Sequence, residues 1–172
     1  MQSIPSMWRQ ELIHPLLVHL PIALIPIATL FLFIYLVFSK KVDVSYLRPA
    51  FSWLLFISCI GVAFAMKSGE WAENVVNKVI CDPTITKKHE EFAEIVTALV
   101  MICGVLEILR IVLHRIKSKF IFIHELKLNI AICTFMFFAT LTLFQVGHLG
   151  ASLTYQQASA VYIPSKECKE FE

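Results

Sequence analysis

IHPLLVHLPIALIPIATLFLFIYLVF, residues 13–38, decides the fold. Crossing a hydrocarbon core roughly 30 Å thick takes about 20 apolar residues, each rising about 1.5 Å along a helix. This stretch has length to spare and, beyond His19, carries no group that is charged at neutral pH. Lipid offers no hydrogen bonds to exposed backbone, so an apolar run of this length must satisfy its own amides as a helix. A membrane strand would be shorter and would alternate in polarity. Three further stretches, 49–66, 92–113 and 126–149, meet or approach the same requirement. Hydrophobic residues make up 58% of the chain and charged residues 16%, with a mean hydropathy of +0.72, a balance that excludes an ordinary soluble domain. The expected fold is all-α: an integral membrane four-helix bundle forming one transmembrane domain over 1–172.

The first run is too long for the apolar core of a signal peptide, has no basic lead-in beyond Arg9 and is followed by no small-residue cleavage site, so it reads as retained. A net charge of +2 spread over short loops makes no face for nucleic acid. The loops are also too short to hold a soluble catalytic domain, which leaves the bundle and its ends to carry any chemistry. Lys40, Lys41 and Arg48 follow the first span, and Arg115, Lys117, Lys119 and Lys127 follow the third, whereas the 67–91 segment mixes lysines with acids. The positive-inside rule then puts the first and third loops in the cytoplasm and both termini outside. Phe120 to His124 reads as a short interfacial segment, too short for a fifth span, and Trp8, Trp71 and Tyr155 read as headgroup-level belt residues.

Ionisable groups are costly at membrane depth, which draws attention to the six histidines. His14 and His19 stand at the start of the first span, His89 just before the third and His148 near the end of the fourth. Alternating helix direction places these four on one membrane face, the outer one in this orientation, and places His114 and His124 on the other. Helix rise puts His19 and His148 at matched depth, roughly 9–10 Å below the surface, as a bis-imidazole b-type heme requires. His14 and His89 are shallower and level with each other. They offer a second pair or partners for the heme propionates. His14 and His19 lie about 140° apart around a straight helix, so sharing one ion needs a kink, for which Pro21 and Pro26 free backbone carbonyls. Gly147 and Gly150 flank His148 and suit either a flat macrocycle or close helix packing. Histidines near helix ends also serve simply by bonding loop carbonyls.

Glu107 and Arg110 are spaced to pair on the third helix. Cys59, Cys103 and Cys133 read as small apolar fillers, while Cys81 and Cys168 share the histidine face and could form a disulfide if that face is oxidising. No CxxCH is present, which argues against covalent c-type heme.

HPLLVHLPIALIPIA, from His14 to Ala28, resembles the HPLxVHFPIAL signature of a widespread bacterial family of small four-helix membrane proteins of unknown function. GHLGASLTY, from Gly147 to Tyr155, is similar to that family's closing element, and His89 with Glu90 falls where members place a helix-initiating histidine. Leu20 stands where Phe is usual and Ala151 where a second Gly is usual. The resemblance implies a bacterial cytoplasmic membrane, a redox setting beside c-type cytochromes, and His14, His19, His89 and His148 as the motif positions.

Three readings of function stay open. The leading one is a b-type heme protein passing electrons near the outer leaflet, with His19 and His148 on the iron. The others are a zinc or copper site built from the four histidines, and a scaffold or assembly subunit without cofactor. Lipid is the expected surrounding, with a c-type cytochrome or other redox protein as partner. Association into a homodimer is compatible with so small a bundle.

Overall fold

The structure is a computed structural model and describes residues 6, 8–115 and 121–161, with the side chains of 121–124 left aside. Four helices follow in order: α1 (Gln10–Phe38), α2 (Leu47–Val76), α3 (Pro83–Arg115) and α4 (Ile121–Tyr155). Each is long and apolar enough to cross a membrane. Every helix also outruns the apolar stretch that announces it. Polar turns beyond the hydrocarbon remain helical, because local bonds such as Lys67–Glu70 at 2.6 Å and Asn74 Nδ2 to the Glu70 carbonyl at 2.8 Å support them.

The start of α3 revises two expectations about His89. Asp82 Oδ1 accepts the Thr84 amide at 2.9 Å and its hydroxyl at 2.6 Å, and Pro83 occupies the first helical position, where no amide donor is needed. The helix therefore begins at Pro83. His89 lies inside it rather than before it, and does not initiate it. Likewise 121–124, read as part of a loop, is the first turn of α4, and Phe120 falls outside the described residues. The pairing of Cys81 with Cys168 falls outside the described residues.

α1 packs along α2 and α3 along α4, and the two hairpins meet through the thinner α1–α4 and α2–α3 seams. That leaves α1 and α3 on one diagonal of the bundle. Ile25, Leu32, Phe51, Leu55, Val100, Ile132 and Met136 fill the centre, and Ala28 and Ala139 let the helices approach. On the α1–α4 seam the hydroxyls of Thr29 and Thr140 meet at 3.1 Å, each also bonded to a carbonyl of its own helix, so no polar atom is left to lipid. Cys59 and Cys103 direct weak Sγ contacts to the carbonyls of Val100 and Ile132, in keeping with a filler role. Leu30, Phe33, Trp53, Phe64, Val105 and Phe144 face outward, an arrangement costly in water and favourable in lipid.

Candidate functional site

Packing loosens at the end formed by the start of α1, the end of α2, the start of α3 and the end of α4. A cavity of about 540 Å³ opens there, with walls from all four helices and from Ser159 and Ala160 beyond α4. That volume lies within the usual range for small-molecule and cofactor sites, about 300–1,000 Å³. The short segment after α4 folds across the opening. Its Ser159 amide donates to the Leu153 carbonyl, Gln157 accepts the Asp82 amide, and Arg9 donates to the Ala160 carbonyl. Ala158 and Ala160 take left-handed φ values of 53° and 59° to make this turn.

His14 and His89 face each other across the α1–α3 diagonal, ring centroids 6.2 Å apart and planes at 88°. Each ring is fixed from behind. His14 Nδ1 lies 3.1 Å from the Ala65 carbonyl and 3.1 Å from Ser68 Oγ, and His89 Nδ1 lies 3.1 Å from the Val146 carbonyl. A carbonyl can only accept, so this network assigns the proton of each neutral ring to Nδ1. Each Nε2 then keeps its lone pair, and neither has a hydrogen-bond partner among the described residues. Two glycines make room for the rings: a Cβ at Gly69 would stand 3.3 Å from His14 Cε1, and one at Gly150 would stand 3.4 Å from His89 Cε1. Gly147, by contrast, faces open space in the cavity wall.

The other two candidate histidines are placed differently. His19 lines the cavity but is exposed, its Nδ1 bonded to the Pro15 carbonyl of its own helix. α1 runs as one helix through Pro15, Pro21 and Pro26, and along it His14 is half-buried while His19 is exposed. His148 is exposed on α4 and is not part of the cavity wall, although Gly147 and Gly150 are. Among the described residues no group of three or more His, Cys, Asp or Glu side chains is close enough to hold a metal ion. The site offers two facing imidazoles, with Glu11, Glu70, Glu73 and Glu90 around them.

Two buried polar atoms lack any partner among the described residues: Thr86 Oγ1, in the cavity wall one turn before His89, and Arg9 Nε, beside the rim residues Glu11 and Ala160. Native interiors rarely leave such groups unsatisfied. Thr86 Oγ1 is the one of the two that stands in the cavity wall, where a polar ligand group would satisfy it.

The opposite end carries a polar network that residue spacing foreshadowed only in part. Glu107, fully buried, pairs with Arg110 as its spacing predicts, Nη2 to Oε1 at 2.9 Å and Nε to Oε2 at 3.1 Å. It also accepts Arg48 Nη2 at 2.5 Å and Ser52 Oγ at 2.7 Å. Arg48 in turn donates from Nε and Nη2 to Asn129 Oδ1, and its guanidinium lies 5.0 Å above the Phe51 ring. Arg48 read as a loop charge setting topology, yet it is inside α2 and nearly buried. The signal that reveals it is Arg48 and Ser52, one turn apart at the head of an apolar run, matched by the lone Asn129 in the fourth.

Fold and site together define a small four-helix membrane bundle with a histidine-lined cavity at one end. The chain belongs to the family described as "predicted membrane protein (DUF2231)", which matches residues 11–162. No curated protein and no solved structure matches it.

Proposed function

We propose that the chain is a b-type heme protein of the membrane, in which His14 and His89 would hold the heme and electron transfer is its work. The observation that carries this reading is the facing imidazole pair. His14 and His89 stand with ring centroids 6.2 Å apart, each with Nε2 free of any partner among the described residues and Nδ1 held by a carbonyl, the kind of outer bond that orients metal-ligating histidines. Heme needs only two protein ligands, and the site brings two histidines together.

Bound heme would supply one-electron chemistry. The chain's own residues have three tasks: the Ala65 and Val146 carbonyls fix ring tautomer and direction, Gly69 and Gly150 admit the rings, and the apolar wall excludes water, which tunes potential. Thr86 Oγ1, in the cavity wall, is an unsatisfied group available to a polar ligand group. The positive-inside bias supports a cavity on the outer face of a bacterial cytoplasmic membrane, where a c-type cytochrome is a natural redox partner. A second reading rests on the carboxylates: Glu11, Glu70, Glu73 and Glu90 favour a cation, so zinc or copper held by the two histidines is the rival.

Absorption spectra of protein purified in detergent from heme-supplied cells, oxidised and then reduced, with metal analysis of the same sample, decide between them. The expected result is a Soret band that shifts on reduction, is lost in His14→Ala and in His89→Ala, and survives in His19→Ala and His148→Ala. Loss confined to the His19 and His148 variants would move the ligands to that pair. A colourless sample with stoichiometric zinc or copper would favour the rival, and a colourless, metal-free one a purely structural role.

A further inference from the structure

The network at the arginine end does not balance its charge. Two guanidiniums, Arg48 and Arg110, share one carboxylate, Glu107. Arg48 spends all three of its nitrogens on Ser52, Glu107 and Asn129. Arg110 spends only Nε and Nη2, both on Glu107, and its Nη1 has no acceptor among the described residues. The acids nearest in the fold are already engaged: Glu125 of α4 binds His114 at 2.6 Å, and Asp43 of the α1–α2 loop holds the amide and hydroxyl of Ser45. Within the Arg48–Glu107–Arg110 network one positive charge is therefore left over.

A groove of about 370 Å³ opens onto that charge along the thin seam between α2 and α3. Arg48, Arg110 and His114 form its polar head, while Trp53, Phe56 and Ile111 line its apolar flank. Trp53 is 70% exposed, so this flank is open to whatever surrounds the helices. Arg110 lies about 7.5 Å of helix rise before the end of α3, and Arg48 is at the head of α2, which puts both guanidiniums at headgroup depth. Charge above and apolar wall below match an amphipathic anion with its chain directed into the bilayer.

We propose that this groove binds an anionic phospholipid, its phosphodiester on Arg110 Nη1 with Arg48 and His114 beside it, and an acyl chain along Trp53 and Phe56. Arginine suits the role because its planar fork matches phosphate oxygens, and basic clefts between transmembrane helices are known lipid sites. The site lies at the opposite end of the bundle from the histidine cavity and does not depend on what that cavity holds.

Native mass spectrometry of the detergent-purified chain, offered phosphatidylglycerol and phosphatidylcholine with identical acyl chains, tests it. One uncompensated charge at the surface predicts about a fivefold preference for phosphatidylglycerol. Arg110→Gln should abolish the preference, whereas Trp53→Ala should reduce retention of both lipids and leave the preference standing. Equal retention of the two lipids by the unaltered chain, or an undiminished preference in folded Arg110→Gln, would overturn the proposal. Displacement of phosphatidylglycerol by millimolar inorganic phosphate would also overturn it, in favour of a small-anion site. Should Arg110→Gln fail to fold, competition on the unaltered chain decides alone.

Discussion

The two ends of the bundle solve the problem of polar groups in a membrane in opposite ways. At the arginine end both oxygens of Glu107 are claimed, every nitrogen of Arg48 is bonded, three helices are tied through α2, α3 and α4 side chains, and only Arg110 Nη1 at the margin lacks an acceptor among the described residues. At the histidine end the imidazoles are bonded only from behind, glycines replace side chains that could fill space, and a cavity remains. Polar groups that serve only stability are expected to bond among themselves. Groups kept half-satisfied around a void are the mark of a site that completes itself with something else.

The contrast predicts that the two ends respond differently to substitution. Glu107→Ala should cost the most, about 3–5 kcal/mol, because it strands the buried Arg48 guanidinium and the half-buried one of Arg110. Thermal unfolding in detergent, followed by circular dichroism, would register this as a large fall in Tm, and Glu107→Gln, which retains an acceptor, should fall less. If Glu107→Ala unfolds like the unaltered chain, the arginine end is not the structural anchor described above.

Filling the other end should behave in the reverse sense. A side chain at Gly147 meets nothing within 4 Å at its Cβ, so Gly147→Leu should hold stability or raise it by up to about 1 kcal/mol through helix propensity. On the heme reading the same variant should lose the Soret band, since Gly147 stands in the cavity wall. A variant that is destabilised yet still coloured would remove the distinction between the ends.

The smallest effect concerns the N-terminus of α3, which sets the depth of His89. The Thr84 hydroxyl, with its amide, holds the Asp82 carboxyl below the ordinary carboxylate range. A depressed value in the folded state means that this cap contributes at any pH above its unfolded value, and that the contribution fades as pH falls through the folded one. Asp82→Asn should flatten that acid dependence of Tm while leaving the neutral-pH Tm nearly unchanged, and an identical acid profile would show the cap to be irrelevant.

Much of the fold is legible because lipid imposes a one-dimensional rule: a run such as 13–38 must cross, and must be helical, whatever it packs against. The gathering of His14, His19, His89 and His148 toward one end follows from counting crossings alone. Helix ends are less legible, since Asp82 and Pro83 start α3 in a polar stretch that hydropathy ignores. The Glu107–Arg110 pair follows from spacing along one helix, whereas Arg48 and Asn129 join it across sequence separations that no local pattern encodes.

The sequence by itself determined four apolar spans, their alternating direction and the level at which each histidine sits, because hydrophobic length and helix rise need no partner. Only the tertiary structure decided which imidazoles meet. That depends on the rotation of each helix about its axis and on which helices lie diagonal, both set by side-chain packing between hairpins rather than by any run of residues. Depth matched His19 with His148, and His14 with His89, equally well; rotation turned His14 and His89 inward against Gly69 and Gly150 and left His19 and His148 exposed.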